Sequence, residues 1–252
     1  MSEVLRTCEH GILRVTLNRP EKRNALSRAV LRELQTVFEA NADVADLRLA
    51  VLTAAGDAAF CAGGDLNDLG EIRSREDTEA FAADATAALD AIRLFPVPTV
   101  AALNGVALGG GAELALACDM RVAAAHARIG FIHATLNIST AWGGGADLMR
   151  LVGYGRAIEL LAAANVLGAD EARALGILNR VSSPGEPFTD FVETFLAPMK
   201  NRLPEVMRAI KAQAMGERFG RPVLDRRAAD EERFVATWAN PAHWAAAEQV
   251  LK

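Results

Sequence analysis

The spacing of apolar positions changes along this chain, and the changes mark out its elements. From Val4 to Leu17 two β-rich runs are parted by His10 and Gly11, which predicts a hairpin. After Ser27, a helix start signal, Val30, Leu31, Leu34, Val37 and Phe38 recur at helical spacing. Leu47 to Thr53 reads as a short apolar strand that leads through AAGDAA into FCAGGD. A polar, alanine-rich helix with an exposed or mobile charged face is expected from Arg73 to Arg93, ended by Pro96 and Pro98. Thr99 to Leu103 is the next buried strand, and Gly109 to Ala117 a helix packed closely on its neighbours. Met120 to Ala123 and Arg128 to Ile132 are further short strands. Beyond Gly143 to Gly145 the pattern turns helical through Leu148, Leu151, Ile158, Leu161 and Leu175, with a last strand at Leu178 to Val181. From Pro187 onward only helices are expected, broken near Pro198, Pro204, Pro222 and Pro241. Strands alternating with helices predict an α/β fold with a helical tail.

Composition narrows the class. A chain of 252 residues, 51% hydrophobic and 23% charged, fits a soluble globular protein with one large domain, or one domain with a helical extension. A net charge of −5 gives no electrostatic footprint for nucleic acid or for an anionic membrane. The longest apolar region, Val97 to Leu116, is interrupted by Pro98, Asn104, several glycines and Glu113, so no membrane span is expected. The N-terminus is charged where a signal peptide needs an apolar core, so no signal peptide is expected there. Cys8, Cys61 and Cys118 are an odd set without metal-ligand spacing, so neither a disulfide framework nor a metal site is expected, and the cytoplasm is the expected compartment. GGGAE lacks the glycine spacing and the downstream acidic residue of a nicotinamide site, and no cofactor is expected.

Two glycine-rich stretches carry the chemistry: FCAGGD (Phe60 to Asp65) and NGVALGGGAELALACD (Asn104 to Asp119). Glycine allows a ligand close to the main chain, and an N–H at a helix opening has no intrahelical partner and lies at the positive end of the helix dipole. Either stretch alone is equally well a tight turn. Together they look like two halves of one oxyanion site. Glu113, just past the second set of glycines, is the candidate acid–base group; its bland role is to complement the helix dipole.

NRPEKRNALS (Asn18 to Ser27), FCAGGDL and the NGVALGGGAELALACD run, in that order, resemble the crotonase, or enoyl-CoA hydratase/isomerase, superfamily. The resemblance runs from about Gly11 to the C-terminal helices. It implies a spiral of repeated ββα units over residues 1–186, and a helical region over 187–252 that builds a homotrimer or a dimer of trimers. It implies acyl-CoA thioester substrates, with coenzyme A as part of the substrate. Carried over residue by residue, the amides that hold the thioester oxygen belong to Gly64 and Gly110. Ala62 would offer backbone groups to the adenine end of CoA, and Lys22 and Arg23 sit where the family approaches the CoA phosphates. Asp65 is a further candidate for the substrate and CoA side, although Asp65 and Asp119, each at the end of its glycine stretch, are better suited to capping or orienting the motif loops. Trp142 would wall the acyl pocket or serve as plain core.

His133 departs from the hydratase pattern. Aligned on the WGG segment from Trp142, it falls where true hydratases carry a second catalytic glutamate. Histidine could move the α-carbon proton, although a lone histidine in an apolar stretch is often structural. GGGAELALACD, FIHATLNISTAWGG and ERFVATWANPA resemble the ethylmalonyl-CoA decarboxylase branch more than the hydratases. Thr140 and Asn137 replace a usual proline and glycine. Trp238 and Phe234 would close the site or line a subunit contact, plain packing being the simpler reading. The expected function is a cofactor-free acyl-CoA lyase, leaning to decarboxylation of an alkylmalonyl-CoA. The alternatives are an enoyl-CoA hydratase/isomerase and a non-catalytic acyl-CoA-binding scaffold.

Overall fold

The predicted hairpin forms from Val4–Glu9 (β1) and Ile12–Leu17 (β2), turning at His10 and Gly11, both at positive φ. The computed structural model describes residues 2–250. Ser27 caps the first helix, Arg28–Asn41 (α1), its hydroxyl accepting from the Val30 amide at 3.2 Å, and Val30, Leu31, Leu34 and Phe38 are buried as their spacing predicts.

Three strand pairs follow, each split between two sheets. Leu49–Ala54 (β3) is followed by Ala59–Cys61 (β4), Thr99–Leu103 (β5) by Val106–Leu108 (β6), and Met120–Ala123 (β7) by Arg128–Gly130 (β8). Helices Leu66–Leu69 (α2) and Arg75–Arg93 (α3) follow the first pair, and Gly110–Ala117 (α4) follows the second. Helices Gly144–Val152 (α5) and Tyr154–Ala163 (α6) come after the third, then Val166–Gly168 (β9), Ala169–Ala174 (α7) and Arg180–Val181 (β10). The first strands of the pairs join a six-stranded sheet ordered β1-β2-β3-β5-β7-β10, the second ones a four-stranded sheet ordered β4-β6-β8-β9. This repeated step is the ββα spiral.

The central strands of the larger sheet are parallel and covered on both faces. Ala50, Leu52, Ala101 and Leu103 point into the main core with α1, α3 and α4. Leu49, Val51, Val100 and Ala102 meet Val192 and Leu196 of Phe188–Lys200 (α8) and Met207 of Pro204–Arg218 (α9). That two-sided burial is why these strands read as unbroken apolar runs. The chain ends in Val223–Trp238 (α10) and Pro241–Val250 (α11).

Several expectations are corrected. The strand expected over Arg128 to Ile132 stops at Gly130, and Ile132–Leu136 is a 3-10 turn. Only Arg180 and Val181 of the last expected strand pair in the sheet. The three-residue strands β6 and β9 were too short to show a period. Pro198 does not break α8; it stands in the last turn, where the missing N–H costs one bond just before the helix ends at Lys200. The breaks expected near Pro204, Pro222 and Pro241 are present: Pro204 and Pro241 open helices, where a proline lacks only an N–H that had no intrahelical partner, and Pro222 stands just before α10.

Candidate active site

β4 and β6 pair in parallel, Ala59 with Val106 and Cys61 with Ala107, so both strands release their glycine loops at the same end. The loops touch: a Cβ built on Gly63 would stand 3.0 Å from the Leu108 carbonyl oxygen and 3.8 Å from the Gly110 nitrogen. Gly109, at φ 52° and ψ −122°, takes a conformation open to glycine, and Gly110 is the first residue of α4. In the other loop the Leu26 amide donates to Gly63 O at 2.8 Å and the Asp65 amide to Leu26 O at 2.9 Å, which leaves the Gly64 N–H on the far side of that bridge. Among the described residues neither the Gly64 nor the Gly110 amide has a protein acceptor.

Glu113 lies one turn along α4 and its side chain is buried, 2% exposed. Oε2 accepts from the Trp142 amide at 3.1 Å and from the Gly144 amide at 2.8 Å. Gly144 opens α5, so the carboxylate also faces the positive end of that helix. Oε1 stands 3.0 Å from Nε2 of His133, on the 3-10 turn after β8. Nε2 is placed to donate a hydrogen bond to that carboxyl oxygen. Nδ1 is buried without a partner among the described residues.

The Trp142 ring lies on Gly110: a Cβ added there would stand 2.7 Å from Trp142 Cη2. Phe81 of α3 meets the ring edge-on, centroids 5.7 Å apart. Asn137 replaces the glycine of the resemblance yet keeps a left-handed backbone, φ 57°, which asparagine tolerates.

The remaining expected residues fall nearby with different parts. Lys22 and Arg23 are exposed, and their turn is tied to the first glycine loop by the Ala62 amide, which donates to Arg23 O at 3.1 Å. Asp65 is turned toward the protein. One oxygen meets Arg19 Nη2 at 2.9 Å, and the other accepts from the Asn67 amide at 3.2 Å as the cap of α2. Burial would raise its pKa, but these bonds hold it below the usual carboxylate range. Its part is therefore loop capping. Asp119 likewise binds the Thr99 amide at 2.8 Å and Lys211 Nζ at 2.6 Å. Burial pushes the Cys61 thiol up to about 12, which withholds the thiolate a nucleophile needs.

Sequence reading missed Arg93, Asp147 and Arg218, a charged row behind the Trp142 to Gly144 segment in which Arg93 and Asp147 are buried and Arg218 partly so. The one signal for it is an arginine placed four residues after Leu89, on the apolar side of α3 beside Ile92.

Solved structures share this architecture over nearly the whole chain. An enoyl-CoA hydratase from Mycobacterium smegmatis superposes with a TM-score of 0.91 at 29% identity, covering 100% of this chain and 96% of that one. A Thermobifida fusca YX protein described as an enoyl-CoA hydratase, in complex with acetoacetyl-CoA, gives a TM-score of 0.83 at 25% identity over 94% of this chain and 95% of its own. The fold is therefore the mixed α/β crotonase fold, with its C-terminal helices. The short-chain-enoyl-CoA hydratase of Clostridium acetobutylicum is 36% identical over 186 residues, 74% of this chain and 71% of that protein. Residues 7–243 match the enoyl-CoA hydratase/isomerase family, and the chain belongs to it.

Proposed function

We propose that this protein is an enoyl-CoA hydratase/isomerase that polarises an acyl-CoA thioester between the Gly64 and Gly110 amides. The observation that carries the reading is the meeting of two glycine loops with partnerless amides beside a buried Glu113–His133 pair. Charge that develops on the thioester oxygen when the α-carbon becomes enolate-like meets donors already in place. One such donor is worth about 2.7–4 kcal/mol of transition-state stabilisation. In hydration, water adds its oxygen to the β-carbon, its proton passes to the Glu113–His133 pair, and the pair returns a proton to the α-carbon. Trp142 walls the acyl side, while Ala62, Lys22 and Arg23 face the CoA side. The family match and the hydratase names of the relatives support this reading.

One observation favours a second reaction on the same site: the partner of Glu113 is a histidine, not a second carboxylate. Decarboxylation of an alkylmalonyl-CoA breaks the bond from the α-carbon to the carboxylate and sends its electron pair into the thioester carbonyl. Carbon dioxide leaves, and one proton donor then completes the product. Hydration of crotonyl-CoA assayed beside CO2 release from ethylmalonyl-CoA separates the two. Hydration without CO2 supports the leading reading, and CO2 without hydration replaces it. Tight acyl-CoA binding with turnover of neither supports a scaffold.

A further inference from the structure

Glu113 is held by main-chain amides of a segment that is itself held from behind. The Trp142 carbonyl, in the segment that donates to Glu113, accepts from Nη2 of Arg93 at 2.7 Å. Arg93 closes α3, and its side chain is 4% exposed. Its Nε donates to Asp147 Oδ2 at 2.9 Å and its Nη1 to Asp90 Oδ1 at 2.8 Å. Asp147 belongs to α5, which opens on the same segment.

The segment fits between the two side chains with no room to spare. A Cβ on Gly144 would stand 2.8 Å from Glu113 Oε2, and one on Gly143 would stand 2.8 Å from Arg93 Nη2. A third element locks the assembly. Arg218 of α9 donates through Nε to Asp147 Oδ1 at 3.1 Å, and through Nη2 and Nη1 to the carbonyls of Leu116 and Ala117 at 2.7 and 3.0 Å. Those carbonyls end α4, the helix that carries Glu113. The front and rear of the site thus share one fixed frame.

We propose that Arg93 is a positioning residue for Glu113, acting through the Trp142 to Gly144 segment and braced by Asp147. A lysine in its place offers one ammonium where three acceptors now meet a planar fork, so it cannot restore the geometry in full. Misplacing a reacting group by about 1 Å costs on the order of 100-fold in rate. The inference rests on the acyl-CoA reading above.

The test compares wild type, Arg93→Met and Arg93→Lys on crotonyl-CoA and ethylmalonyl-CoA, with thermal unfolding and binding of acetoacetyl-CoA measured in parallel. Wild type inactive on both substrates removes the functional reading on which the inference stands. With wild type active, the inference predicts kcat lowered about 100-fold in Arg93→Met, KM and acetoacetyl-CoA affinity within about twofold, and partial return of kcat in Arg93→Lys. If a folded Arg93→Met keeps kcat within about twofold of wild type, or loses kcat and acetoacetyl-CoA affinity together, Arg93 is only part of the scaffold. Should Arg93→Met fail to fold, Arg93→Lys decides: kcat down fivefold or more at unchanged KM supports the inference, and a smaller loss overturns it.

Discussion

Glu113 Oε1 and His133 Nε2 stand 3.0 Å apart in the interior, within hydrogen-bond reach of each other. In the proposed chemistry both members of the pair move the proton, so removing either should slow turnover. Glu113→Gln keeps the shape but loses the acid–base group, and turnover should fall about 10²–10⁴-fold. His133→Ala should cost a comparable factor if the ring delivers the α-carbon proton. Steady-state kinetics on the substrate that wild type accepts will report both, and the double variant should lose little more than the worse single. Additive losses would mean that the two residues work apart.

Gly110 and Trp142 make a second coupled pair, because the indole occupies the volume of any side chain at Gly110. Gly110→Ala should destabilise the protein by about 1–3 kcal/mol through overpacking. It should also move the Gly110 amide, which the proposed function sets against the thioester oxygen. Adding Trp142→Leu makes room and should recover much of the lost stability. A thermodynamic cycle in urea will measure that coupling, and independence of the two changes would show that the ring has space to shift.

Much of this was legible in the chain. The hairpin, α1 with its Ser27 cap, the strands at Thr99 and Met120, and the two glycine loops follow from periodicity and from glycine placement. Residues 142–144 were visible as a motif, but not as the donors to Glu113, because a main-chain N–H leaves no mark in a sequence. Arg93 was hidden for a different reason: a charged residue on an apolar helix face is ordinarily assigned to solvent, and only Asp147, 54 positions later, explains its burial. Pro198 misled because a proline signals a helix end without saying whether the last turn lies before or after it. His133 was visible as a departure from the hydratase pattern, while its contact with Glu113 depends on how two sheets meet.

Asp68, which follows the first glycine loop, links acidity to stability. The Arg28 side chain, then the Arg28 amide, bind it and hold its pKa below the ordinary 3.8. Its contribution is therefore fully present above pH 3.8 and is lost as the pH falls through the lowered folded value. Urea midpoints of wild type and Asp68→Asn should differ at neutral pH and converge in acid. A gap that persists unchanged into strong acid would assign the effect to packing.

The thiols provide a further check. Burial pushes Cys61 and Cys118 up to about 12, whereas Cys8 is exposed. Iodoacetamide at pH 8 should add one group to the native protein, at Cys8, and three after denaturation. Rapid native labelling of Cys61 would show that the first glycine loop opens.

The most direct measurement is a crystal structure with acetoacetyl-CoA bound. The Gly64 and Gly110 nitrogens should both lie about 2.7–3.1 Å from the thioester carbonyl oxygen, with Glu113 and His133 facing the α-carbon. A bound thioester whose oxygen lies beyond hydrogen-bond reach of either amide would contradict the account.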